Sequence, residues 1–181
     1  NALGMSFRDF LEGRLPALPG EKPTEADWED HLTTLFPEAR VKRFIEMRGA
    51  DAGSWQSLCA LPAFWVGLLY DGATQKRVAD MIADWTQDER ETLRRRAPIS
   101  GLATPFRGGT LGDLAADVLA LAEQGLQARA NLDGTGSNET QFLHTLQDSV
   151  ARRQTPADSL LAKFNGEWQG QVAPIFDTLA F

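Results

Sequence analysis

The stretch HLTTLFPEARVKRFIEMRGAD, residues 31–51, decides how this chain is read. Residues 39–49 read as a β-strand. Side chains alternate along a strand, so Val41, Ile45 and Met47, with Arg43 among them, fall on one side. Lys42, Phe44, Glu46 and Arg48 fall on the other. The first side suits a core. The second carries a carboxylate and a guanidinium together, which suits chemistry on an anion. No other stretch holds so many chemically committed residues at so definite a spacing.

Working outward, the surroundings are helical. Thr24 to Asp27 reads as a helix start, with a capping threonine and acids in the first turn. Trp28, Leu32 and Leu35 follow at helical spacing, and Phe36-Pro37 ends that helix. Before it lies one short helix over residues 6–13, closed by Gly13 and the Pro16/Pro19 pair. After it, Ser54 caps a long helix to Tyr70 that is apolar nearly all round, which implies burial; Pro62 implies a kink or a break. Helices are expected over residues 74–85, from Thr86 to the Arg94-Arg95-Arg96 run, and over 111–130, 138–153 and 156–164. Residues 98–109 and the polar run NLDGTGSN, 131–138, read as loops, and 172–179 as a short tail. The chain is thus mainly α-helical with one convincing strand. A lone strand leaves its ladder groups unsatisfied, so it must pair with something.

Composition narrows the function. The chain has 181 residues, 43% hydrophobic and 24% charged, enough for one domain with a sizeable core. A net charge of −7 argues against a sequence-independent grip on nucleic acid or anionic lipid. The longest apolar run, residues 58–70, is too short to span a bilayer. One cysteine, Cys59, excludes an intrachain disulfide and multi-thiolate zinc; it fits a reducing, cytoplasmic setting. Asn1-Ala2 reads as the remnant of a cleaved expression tag, leaving 3–181 as the domain proper.

Glu46-x-Arg48 is the first chemical candidate. A carboxylate on a strand can ligate Mg²⁺, and an arginine two residues on can fork onto phosphate or carboxylate oxygens. The plainer reading is an ion pair on a solvated sheet face. His31, Thr33, Thr34 and Arg40 lie in the same block, either positioning substrate or bonding locally at a helix end. His144 and the five tryptophans read as packing or surface residues.

The quoted stretch, followed by SWQSLCALPAFWVGLLYD at 54–71, resembles the C-terminal part of the plant and proteobacterial type of glutamate–cysteine ligase. Asp84-Trp-Thr, Asp88-Glu-Arg and Leu93-Arg-Arg match it as well. So do SGLATPFRGG at 100–109, FNGEWQG at 164–170 and PIFD at 174–177, all in order. The resemblance implies an α+β chain, part of a catalytic fold like that of glutamine synthetase and the guanidino kinases. It implies ATP- and Mg²⁺-dependent joining of the glutamate γ-carboxylate to the cysteine amine. Small-molecule partners would be L-glutamate, L-cysteine and ATP, besides an upstream part of the same enzyme; the oligomeric state stays open. Glu46 would ligate Mg²⁺, and Arg48, with Arg40 beside it, would contact phosphate groups. Cys59 would match a cysteine that pairs in a redox-sensitive disulfide in plant relatives, with a partner outside this chain. The chain alone would be inactive. A related carboxylate–amine ligase with another acceptor, or a non-catalytic helical interaction module, are the competing readings.

Overall fold

A computed structural model describes residues 4–179. It divides into two compact units, Asn1–Ala50 and Asp51–Phe181. Most described residues are helical, and the strands form two small antiparallel sheets, so the chain is α+β.

The first unit holds α1 (Phe7–Leu11), α2 (Glu25–Thr33), β1 (Ala39–Val41) and β2 (Ile45–Met47). Ser6 caps α1, and Thr24 with Asp27 forms the capping box of α2. The Phe7 ring joins the two helices: it stacks on His31 with centroids 4.4 Å apart and meets Trp28 at 5.2 Å. Leu15 is the one buried residue among those described in this unit. So small a core cannot offset much chain entropy.

The expected single strand over 39–49 is corrected here. The segment folds back on itself as a hairpin, with Ala39 opposite Met47, Arg40 opposite Glu46 and Val41 opposite Ile45. Residues 42–44 make the turn, where the Lys42 amide donates to the Phe44 carbonyl at 2.8 Å. Folding back supplies ladder partners from within the segment, which a lone strand lacks. The expected core-facing side is also corrected: Val41 is 82% and Ile45 63% exposed.

The second unit is a helical layer built on two crossing helices. α3 (Trp55–Leu69) packs against α6 (Leu111–Arg129). α4 (Gly72–Ile82), α5 (Gln87–Ser100), α7 (His144–Ala151), α8 (Pro156–Asn165) and α9 (Pro174–Thr178) complete the helices. Ala63, Leu68, Leu119, Ala122, Leu126 and Leu143 form the core at the α3–α6 crossing. The crossing is close because Gly67 of α3 faces Ala122 and Gly125 of α6, with no side chain between the backbones. α3 runs uninterrupted through Pro62.

Three further sequence expectations shift. α5 passes through Pro98 to Ser100, so Arg94, Arg95 and Arg96 lie within the helix and not at its end. Gly101, at φ +50°, stops it. The expected loop at 98–109 holds a tight hairpin of β3 (Pro105–Phe106) and β4 (Gly109–Thr110). The expected helix over 138–153 begins as a 3₁₀ turn, Glu139–Leu143, before α7.

That hairpin is tied down by Arg107. Its guanidinium donates to Glu89 through Nε (2.6 Å) and Nη2 (2.8 Å), and to Asp84 through Nη1 (2.7 Å). Glu89 also closes the capping box of α5 with Thr86. The Arg107 bond and then the Thr86 amide hold the Glu89 carboxyl down at about 2, against the usual 4.5. A carboxyl depressed on folding stabilises above its unfolded value and loses that contribution as pH falls through its folded one. The melting temperature should therefore drop as pH falls from about 4.5 to about 2, and Glu89→Gln should flatten that part of the profile. Thermal melts followed by circular dichroism would check it; an unchanged slope in the variant would remove Glu89 from the acid response.

Candidate functional site

The hairpin register builds the candidate site. Arg40 and Glu46 are directly opposed, so their side chains share a face; Arg48, two residues past Glu46, shares it too. Arg40 Nε donates to Glu46 Oε2 at 2.9 Å, and Arg48 Nη1 donates to Oε1 at 3.1 Å. All three side chains are half-buried. The Arg48 guanidinium also lies 5.6 Å from the centroid of the Phe36 ring.

The electrostatics follow from this geometry. The hydrogen bond from Arg40 pulls the Glu46 carboxyl below its ordinary range; partial burial opposes it, and the charges of Arg40 and Arg48 add to it. Glu46 is therefore ionised at neutral pH, and the trio carries one net positive charge. A guanidinium has five N–H donors in a planar fork, and the bond to Glu46 uses one on each arginine. The arrangement is thus two forks held side by side by a shared carboxylate, suited to an anion with several oxygens.

A magnesium ion sets a stricter test. Mg²⁺ wants near-octahedral oxygen coordination. A carboxylate has about four lone-pair sites, and one guanidinium bond on each oxygen leaves one site on each Glu46 oxygen for a metal. Among the described residues no group of three His, Cys, Asp or Glu side chains could hold a metal ion. Glu46 fits as one member of a larger ligand set and does not make a site by itself.

The other candidates make local bonds. Thr33 Oγ1 donates to the Asp30 carbonyl at 2.6 Å and Thr34 Oγ1 to the His31 carbonyl at 2.7 Å, while His31 stacks on Phe7. His144 opens α7. Cys59 is partly buried on α3. Phe36 had no functional role in the sequence reading, which saw only a helix terminator. Its exposure, 73%, and its place under Arg48 make it part of this face. Its position just before a proline and four residues from Arg40 gave no signal of that.

Comparison with known proteins sets the site in context. The family described as glutamate-cysteine ligase family 2 matches residues 3–178. The chloroplastic glutamate–cysteine ligase of Brassica juncea is 54% identical over 178 residues, covering 98% of this chain and 34% of that protein. That of Arabidopsis thaliana is 53% identical, with 98% and 33% covered. The chloroplastic glutamate–cysteine ligase A of Oryza sativa subsp. indica is 52% identical, with 98% and 35% covered. The chain spans about a third of the length of these relatives. Their names overturn the cytoplasmic expectation: they are chloroplastic, and a lone thiol speaks of a reducing compartment without saying which one. On a family match that runs from residue 3 to residue 178, the chain belongs to glutamate-cysteine ligase family 2.

Proposed function

We propose that this chain supplies the phosphate-facing hairpin of an ATP- and Mg²⁺-dependent glutamate–cysteine ligase, which catalyses the first step of glutathione synthesis. The observation that carries the reading is the Arg40–Glu46–Arg48 trio on one face of an exposed hairpin. The name borne by relatives more than half identical supports it.

In this reading a γ-carboxylate oxygen of glutamate bonds to the γ-phosphorus of ATP and ADP leaves. The cysteine amine then bonds to the acyl carbon of γ-glutamyl phosphate, phosphate leaves, and the amine gives up a proton. Charge gathers on phosphoryl oxygens in the first step and on the departing phosphate in the second. Arg48 and Arg40 would donate to those oxygens, and the bonds from both to Glu46 would keep the forks from swinging away. Mg²⁺, when bound, offsets phosphate charge, and Glu46 would give it one oxygen. The hairpin would be two strands of a larger curved antiparallel sheet of the glutamine synthetase and guanidino kinase kind. The exposed Val41 and Ile45 and the free ladder edges support that, because a two-stranded hairpin is marginal alone.

The test is a chimera in which residues 3–178 replace the matching third of the Brassica juncea ligase. The chimera should release ADP only with both amino acids present, and mass spectrometry should find γ-glutamylcysteine. The chain alone should release none above background. Turnover by the chain alone, or ADP release from the chimera without the dipeptide, would overturn the reading.

A further inference from the structure

Away from the hairpin, the second unit carries an apolar groove of about 370 Å³ between α8 and the segment that leads into α9. Leu160, Leu161 and Phe164 of α8 form one wall, Val172 and Ile175 the other, and Trp168 is buried between them. Leu161 is 57% and Val172 60% exposed. Water therefore faces a continuous apolar strip that costs free energy to leave uncovered.

Three kinds of occupant can be weighed. A small-molecule site needs a few convergent polar groups to orient its ligand, and this groove is lined by apolar side chains only. An added β-strand would press unsatisfied N–H and C=O groups against that lining. A helix satisfies its own backbone and presents an apolar stripe at the spacing of successive turns. The matched relatives hold about twice as much further polypeptide as this chain covers, which is where such a helix can come from.

We infer that the α8–α9 groove is the seat of an amphipathic helix from the remaining two thirds of the ligase polypeptide. The inference rests on the ligase reading above. It assigns the groove to holding that larger part of the enzyme in place, at a distance in sequence from the hairpin trio.

Hydrogen exchange read by mass spectrometry tests it, comparing this chain alone with the chimera that carries residues 3–178. Amides in peptides over 157–176 should exchange about tenfold more slowly in the chimera. The pair Leu161→Asp and Val172→Asp changes two exposed positions, so the isolated chain should keep its circular dichroism spectrum, while the chimera should regain fast exchange over 157–176. Equal exchange in the chain and in a catalytically active chimera would overturn the inference. So would protection that appears in the chain alone as its concentration rises, which would give the face to a second copy. Protection in a chimera that makes no γ-glutamylcysteine would count against the ligase reading and still support the seated helix.

Discussion

Gly125→Ala should destabilise the helical unit by roughly 3 kcal/mol, the largest effect expected of any single methyl group in this chain. A Cβ at Gly125 would lie 2.8 Å from the carbonyl carbon of Gly67 and closer still to its oxygen. The obstacle is backbone in the middle of α3, so no rotamer change can relieve it. Alanine is the better helix former by about 1 kcal/mol, and that gain works against the clash without offsetting it. The same logic holds from the other side, where a Cβ at Gly67 would lie 2.8 Å from the carbonyl carbon of Ala122. The two helices would have to separate, opening the core around Leu68, Leu119 and Leu126, each nearly fully buried. Thermal unfolding should show a melting temperature lower by about 10 °C. Gly134→Ala is the control, since nothing lies within 4 Å of a Cβ there. A Gly125→Ala chain as stable as its parent would mean that α3 and α6 do not cross at these glycines.

These glycines illustrate what the sequence leaves unread. Gly67 sits in a run of apolar residues and Gly125 in an amphipathic helix, and neither position says that two backbones meet there. Capping was legible, because threonine three residues before an acid is a local pattern: Thr86 with Glu89 forms the box expected of it, and Thr24, expected as a cap, forms a full box with Asp27. The hairpin turn was not. Residues 42–44 are Lys, Arg and Phe, with no glycine, proline, asparagine or aspartate to mark a reversal. Alternation through 39–49 therefore looked like one strand. Glu46 and Arg48 still share a face, since they sit two apart on β2 and its continuation. Arg40 joins them only because the chain folds back, and periodicity along a single strand cannot show a partner that arrives from across the ladder. Pro98 misled for a related reason. A proline removes one amide donor, which lowers the odds of a helix without forbidding it, and Gly101 ends α5 instead.

Glu46→Gln, made in the chimera, should lower the turnover number by about 100-fold. Two consequences of the substitution act together. The amide is neutral, so the guanidiniums of Arg40 and Arg48 lose the charge that sets them side by side. One of its two polar atoms is an NH₂ group, which repels whichever guanidinium it faces. On the proposed reading the forks should then sample orientations that miss the phosphoryl oxygens, with the penalty on the step where charge develops there. How the loss responds to magnesium separates the two roles proposed for Glu46. If its chief part is to give Mg²⁺ an oxygen, excess Mg²⁺ should recover much of the rate. If its chief part is to hold the arginines, the loss should persist at saturating Mg²⁺ and Arg40→Ala should reproduce part of it. The acid limb of the rate profile adds an independent check. Because Arg40 and Arg48 hold the Glu46 carboxyl below its ordinary range, activity that depends on its ionised form should survive to lower pH than an unassisted glutamate allows. Arg40→Ala should move that limb upward, since it removes the largest cause of the depression. Wild-type turnover by Glu46→Gln at limiting Mg²⁺ would take Glu46 out of the site, and with it the reason for reading the hairpin as the face that meets phosphate.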